Sequence, residues 1–219
     1  MSIKANLLKI KTSLPDYVTL VAVSKTKPIS DLMDVYNAGQ RVFGENKVQE
    51  MVEKHQQMPA DIEWHMIGHV QSNKVKMMAP FVKLIHGVDS LKLLTEINKE
   101  AAKNRRVINC LLQVHIAEEE TKFGLDENEL ETIMNSAVLE TLHNIKVIGL
   151  MGMATLTENQ HQIEKEFYYL KSLYDKLSAD NSQLTTLSMG MSGDYPIAIE
   201  CGSTMVRIGS SIFGNRSPV

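Results

Sequence analysis

Lys25 closes a short apolar run, Leu20-Val21-Ala22-Val23-Ser24, and is followed by Thr26-Lys27-Pro28. Lysine belongs at solvated surfaces, because burial disfavours its charged ammonium form. Desolvation at the end of a buried strand lowers the amine's pKa from its ordinary ~10.4 and makes it nucleophilic. A nucleophilic amine is what a Schiff base with a carbonyl compound requires. The alternative is a strand-end lysine whose stem lies on apolar surface while its head snorkels to water. The stretch by itself leaves both readings open.

The far end of the chain holds two further candidates. Ser188-Met189-Gly190-Met191-Ser192-Gly193-Asp194 is rich in small residues, with hydroxyls and backbone N–H groups able to cradle an oxyanion. Arg207-Ile208-Gly209-Ser210-Ser211 leads into Ile212-Phe213-Gly214. Glycine there lets the backbone approach a ligand closely, and a helix start beyond it presents N–H groups to a phosphate. Either loop alone reads as ordinary Gly/Ser connection; the pair points to an oxyanion site. Arg207 interrupts an apolar strand, Met205-Val206 before it and Ile208 after. It either pairs with a carboxylate or faces a ligand. Arginine is a permanent donor with no acceptor, so a heterocyclic nitrogen opposite it has to accept and stays largely unprotonated.

The elements that must carry these residues alternate in type. An N-terminal helix is expected over residues 2–12, then strands at 19–23, 41–43, 63–67, 81–86, 107–115, 146–150, 184–188 and 205–208. Helices are expected between them at 31–38, 46–57, 72–78, 90–104, 127–137, 160–177 and near 195–200. Gly39 fits a C′ position and Asp126 an N-cap. Strands alternating with helices argue for a parallel sheet. Eight such units predict an α/β fold: a single (β/α)8 TIM barrel with an extra N-terminal helix, one domain over residues 1–219. The rival, a doubly wound open sheet, lacks the GxGxxG expected after its first strand. In a barrel, functional groups gather at the C-terminal ends of the strands, and phosphate is often held after strands seven and eight. The two Gly/Ser loops fall there.

Composition narrows the class. The 219 residues are 43% hydrophobic and 22% charged, with a net charge of −3. That is a folded globular protein without the basic footprint of nucleic-acid binding. No stretch approaches the ~18 apolar residues of a membrane span, and the polar N-terminus reads as no signal peptide. Cys110 and Cys201 form no CxxC and no disulfide framework, which fits a cytoplasmic protein. No metal site is expected. His65 and His69 flank the end of the third strand and could reach the barrel mouth; a histidine there is more often hydrogen-bonded structure. Glu45 and Asn46 are expected to position a ligand, to cap the following helix, or both. Glu118-Glu119-Glu120 and Thr121-Lys122-Phe123-Gly124 read as a mobile, solvated loop over the mouth.

Several strings together resemble one family. They are Val23-Ser24-Lys25-Thr26, Phe43-Gly44-Glu45-Asn46 with Gln49, Trp64-His65, and Ile67-Gly68-His69-Val70-Gln71-Ser72-Asn73-Lys74. Gly149-Leu150-Met151-Gly152-Met153, Ser188-Met189-Gly190-Met191-Ser192, and Gly202-Ser203-Thr204-Met205-Val206-Arg207-Ile208-Gly209-Ser210 complete the set. From about Leu20 to Arg216 the chain is similar to the YggS/PROSC family of pyridoxal-phosphate homeostasis proteins, whose fold is like the barrel domain of alanine racemase. The resemblance implies pyridoxal 5′-phosphate as cofactor, held by Lys25 as an internal aldimine. It implies that Ser192, Gly209 and Ser210 hold the phosphate and that Arg207 faces the pyridine nitrogen. Asn46 is then expected near the ring, with Met191 and Met153 lining the pocket.

Two functions follow from that resemblance. The first is a binding protein for intracellular pyridoxal-phosphate homeostasis, with no catalytic residues and an expected monomeric state; pyridoxal-phosphate-dependent apo-enzymes are the expected recipients. The second is a pyridoxal-phosphate-dependent amino-acid racemase, which needs a proton acceptor on one face of Cα and a donor on the other. Lys25 can serve one face. The other group comes, in the racemases, from a partner subunit through an added domain that this chain does not show. Only a His or Tyr within the barrel, such as His69 or Tyr195, could substitute, so the binding protein is the expected function.

Overall fold

Strand β1 (Thr19–Val23) lies between β2 (Val42–Glu45) and β8 (Met205–Ile208), parallel to both, and that double pairing closes the sheet. The intervening strands are β3 (Glu63–Met66), β4 (Leu84–Val88), β5 (Ile108–Gln113), β6 (Ile145–Met151) and β7 (Thr186–Ser188), each pairing in parallel with the next. The result is a closed barrel in the order β1 to β8, the (β/α)8 architecture expected from the alternation. These relations come from a computed structural model that describes residues 2–119 and 123–214.

The helices form the outer ring: α1 (Ile3–Ser13), α2 (Ile29–Asn37), α3 (Val48–Gln57), α4 (Val75–Met78), α5 (Leu91–Lys103), α6 (Glu127–Met134), α7 (Ala137–Glu140), α8 (Gln160–Ser178), α9 (Tyr195–Glu200) and α10 (Ser210–Phe213). The extra N-terminal helix α1 is capped by Ser2, whose hydroxyl accepts from the Ala5 N–H. It packs against α2 and α10, with Asn6 donating to the Ile212 carbonyl at 3.1 Å. No helix among the described residues is long and apolar enough to cross a membrane.

Three boundaries differ from the sequence expectation for local reasons. Phe81 and Val82 do not begin β4; their N–H groups return to the Met78 carbonyl and finish the turn around α4 and Pro80. The helix expected at 127–137 stops at Met134, and Ser136 caps a new turn, α7. The strand expected at 107–115 ends at Gln113, and Val114 bridges instead to Leu125.

Because side chains alternate along a strand, each strand has an inner and an outer set. Leu20, Ala22, Phe43, Trp64, Ile85, Val206 and Ile208 face the helices and belong to the large core between sheet and helices. Val21, Leu84, Leu111, Met151 and Met205 fill the inside of the barrel. The inward residues nearer the C-terminal ends are polar: His65, His86, Ser188 and Arg207, all buried.

Candidate functional site

At the C-terminal ends of β1, β2, β7 and β8 lies a cavity of about 490 Å³, within the ~300–1,000 Å³ of small-molecule sites. Lys25 and Asn46 line it from just beyond β1 and β2; Arg207 lines it from β8, and Gly209 and Ser210 from the start of α10. Met191 and Ser192 complete it from the loop after β7, and Met153 from the loop after β6. The seven residues expected at the cofactor (Lys25, Asn46, Met191, Ser192, Arg207, Gly209 and Ser210), with Met153, therefore meet at one cavity. Residues given no ligand role of their own from sequence also line it, among them Val23, Lys27, Ile67, Leu156 and Gly214. Lys27 donates to the Phe213 and Gly214 carbonyls at 3.1 and 3.2 Å, which ties the loop after β1 to the end of α10.

The two Gly/Ser loops meet at the Ser192 hydroxyl. The Ser192 hydroxyl accepts from the Gly209 N–H at 3.2 Å and from the Ser211 N–H at 3.4 Å. Backbone donors thus converge on an oxygen at the cavity edge, the arrangement an oxyanion requires. Gly190 makes the first loop possible. Its φ is +96°, and a Cβ there would lie 2.6 Å from the Ala198 Cβ. At Gly209 an added Cβ would press on Val23 at 3.2 Å, so β8 and β1 approach closely where the cavity opens.

Arg207 points into the barrel, as its parity with Met205 dictates. It donates through one terminal nitrogen to the Ser188 carbonyl (2.9 Å) and Ser188 hydroxyl (2.7 Å), and through the other to the Gly152 carbonyl (3.0 Å). No carboxylate makes an ion pair with it among the described residues, so the carboxylate-pair reading does not apply. Burial pulls its pKa down to about 10, partly opposed by the charge of Asp194, which leaves it charged at neutral pH. The Ser188 hydroxyl continues to His86 Nδ1 at 3.1 Å, and His86 Nε2 lies 3.1 Å from His65 Nδ1. Arg207 therefore ends a chain of four polar groups crossing the barrel interior. Burial holds both imidazoles neutral: His65 is lowered to about 3, first by burial and then by the charge of Lys83. His86 lies well below its ordinary value through burial, His65 and Arg207. This chain escaped the sequence reading, although the alternation of Trp64-His65-Met66 and Ile85-His86-Gly87 was a signal for inward histidines.

His65 follows the favoured reading of a hydrogen-bonded structural histidine: it is buried inside the barrel and does not reach the mouth. Two sequence expectations need correction. Glu45 faces outward with Phe43 rather than toward the cavity, and it pairs with Lys54 of α3 at 2.7 Å. Asn46 caps nothing: α3 begins at Val48 after Lys47, with no side-chain cap bond. His69 is half exposed, 3.1 Å from Asp89 and stacked on Phe123, and Tyr195 lines a separate depression beside Ser13 and Pro15. Neither is among the residues lining the cavity. Of the loop expected over the mouth, residues 120–122 lie outside the described residues, while Glu118 and Glu119 bind Thr155 and Leu156. Among the described residues, no group of three or more His, Cys, Asp or Glu could hold a metal ion.

Comparison with known proteins places this architecture. The family model for the alanine racemase N-terminal domain matches residues 1–217. The pyridoxal phosphate homeostasis protein of Haemophilus influenzae is 42% identical over 205 residues, covering 91% of this chain and 86% of that protein. The solved structure of PipY from Synechococcus elongatus without pyridoxal phosphate superposes with a TM-score of 0.91 at 34% identity, covering 97% of this chain and all of PipY. PipY with pyridoxal phosphate bound gives 0.89. Alanine racemase of Clostridium difficile shares the fold at a TM-score of 0.84 and 16% identity, and this chain spans 57% of it.

Proposed function

This chain belongs to the pyridoxal phosphate homeostasis proteins of the alanine racemase N-terminal domain family, and we propose that it binds pyridoxal 5′-phosphate in the barrel-mouth cavity and holds it without turning over a substrate. The observation that carries this is the meeting of Lys25, Arg207 and the two-loop N–H cup on one cavity. These residues fit the cofactor's three chemical handles: an aldehyde, a phosphate and a ring nitrogen. When bound, pyridoxal phosphate supplies a reactive carbonyl and a ring that withdraws electrons best when its nitrogen is protonated.

Lys25 supplies the amine that fixes the aldehyde carbon through Nζ. Ser192, Gly209 and Ser210 hold the phosphate. Met191 and Met153 form apolar walls, and Asn46 sits beside the ring. Arg207 donates to the ring nitrogen; three of its donor contacts are already engaged by Ser188 and Gly152, which fix its orientation. A charged donor at that nitrogen disfavours protonation and keeps the site chemically quiet. The racemase alternative needs a second proton-transfer group in the cavity. No histidine or tyrosine is among the residues lining the cavity, and His69 and Tyr195 lie elsewhere, which supports the holding role.

All the residues proposed to hold the cofactor come from one chain, and we read the protein as a cytoplasmic monomer that releases its cofactor to apo-enzymes. The test is borohydride reduction of protein loaded with pyridoxal phosphate, followed by peptide mass spectrometry. The expected adduct is on Lys25. An adduct mainly on another lysine, or conversion of L- to D-alanine at ~1–10³ per second, typical of enzymes, refutes the assignment.

A further inference from the structure

Lys25 sits in a turn whose geometry its own sequence disfavours. Ser24 to Lys27 form a four-residue turn closed by the Lys27 N–H to the Ser24 carbonyl at 3.1 Å. The third residue, Thr26, has φ +63°. Turns with that left-handed residue take glycine there, and a β-branched side chain in it is a genuine outlier. A strained backbone persists only where its surroundings hold it.

The surroundings come from α3. Glu50 accepts the Thr26 N–H at 2.6 Å. Lys54, one helical turn later, donates at 2.7 Å to Glu50, to the buried Glu45 and to the Ser24 carbonyl. Glu45 in turn accepts from the Ser24 hydroxyl at 2.7 Å. The peptide groups on both sides of Lys25 are therefore gripped by one charged cluster. None of Glu45, Glu50 and Lys54 lines the cavity; Glu50 and Lys54 border a depression on the outer side of the turn.

We propose that Glu45, Glu50 and Lys54 are positioning residues for Lys25, holding the Ser24–Lys27 turn in the left-handed form that presents the lysine to the cavity. The proposal rests on Lys25 as the cofactor-linking residue. The triad touches the backbone rather than the cofactor, so its loss affects covalent capture and leaves binding through the phosphate and ring. A glycine at position 26 adopts φ above zero without strain, so it makes the triad dispensable.

The experiment compares wild type, Lys54→Met, Thr26→Gly and the Lys54→Met/Thr26→Gly double variant, each checked for folding by circular dichroism. One arm measures the rate at which pyridoxal phosphate becomes borohydride-fixed on Lys25. The other measures the affinity of pyridoxamine 5′-phosphate, which has the same ring and phosphate but no aldehyde. Lys54→Met is expected to slow capture by about tenfold or more, the loss of a charge-assisted hydrogen bond, with amine-analogue affinity within about twofold. The double variant is expected to recover most of the rate. If Lys54→Met does not fold, Glu50→Ala carries the same expectation, since Lys54 keeps Glu45 there. Capture at the wild-type rate in the folded single variant, or a loss that Thr26→Gly does not rescue, overturns the positioning role while Lys25 stands. No Lys25 adduct in wild type overturns the assignment of Lys25 and the triad with it.

Discussion

Acidification should weaken this fold through the two histidines inside the barrel. In the unfolded chain a histidine titrates near 6.5; in the folded protein His65 is held down to about 3 by burial and by Lys83. Between those values the unfolded state binds the proton and the folded state does not, so stability rises with pH across the window and is lost as pH falls below 6.5. At pH 5 the unfolded imidazole is about 97% protonated, and the linkage relation gives about 2 kcal/mol of lost stability from His65 alone. His86 is shifted in the same direction and adds to the loss. For a chain of this length, 2 kcal/mol is roughly 4–8 °C in Tm. The assay is urea or thermal unfolding of cofactor-free protein at pH 7 and pH 5, for wild type and for His65→Asn. Asparagine places a polar atom near the Nδ1 position and does not titrate. Comparing slopes cancels any uniform cost of the smaller side chain and the contribution of titrating groups that His65 does not touch, while His86, which His65 holds down, changes with it. A wild-type slope no steeper than that of His65→Asn refutes the reasoning.

Arg207→Glu should destabilise the cofactor-free protein by about 3–5 kcal/mol, because it buries an uncompensated carboxylate against the Ser188 and Gly152 carbonyls; denaturant unfolding reads this. Ser192→Ala should weaken binding of pyridoxal phosphate by roughly five- to tenfold, the worth of one hydrogen bond at the oxyanion cup, measured by equilibrium dialysis. Gly149→Ala should abolish soluble folded protein, since a Cβ there would stand 1.7 Å from the Thr186 carbonyl oxygen where β6 and β7 pair; circular dichroism of the expressed protein checks it.

What the sequence made legible follows from which signals are local. Alternating strands and helices are written in runs of a few residues, so the barrel and its order of elements could be read. The loops after β7 and β8 were recognisable because glycine and serine mark backbone close to a ligand, and Lys25 because a charge at a strand end is conspicuous. The Arg207–Ser188–His86–His65 chain was not, because its members come from four strands and meet only when the barrel closes. Glu45 was misplaced for a related reason. Its neighbour Asn46 reaches the cavity, yet strand parity turns Glu45 itself outward toward Lys54. Lys54 was not singled out within the helix expected at 46–57, although it is nearly as buried as the core; its role depends on partners 9 and 30 residues away.

The cavity straddles the seam of the barrel. Lys25 follows the first strand, Arg207 belongs to the last and Gly209 follows it, and these two strands pair with Val21 beside Arg207. The first and last strands of the barrel must therefore meet before the cavity exists. A chain whose β8 has not docked has Lys25 but lacks the Arg207 and Gly209 side of the cavity. On the proposed function, pyridoxal phosphate then acts as a fastener for the final closure. A ligand at 100 times its Kd adds about 2.7 kcal/mol to the closed state, directed at the junction whose formation spans the longest loop in the molecule. Cellular cofactor supply would then set how much of this protein survives proteolysis as well as how much of it is loaded.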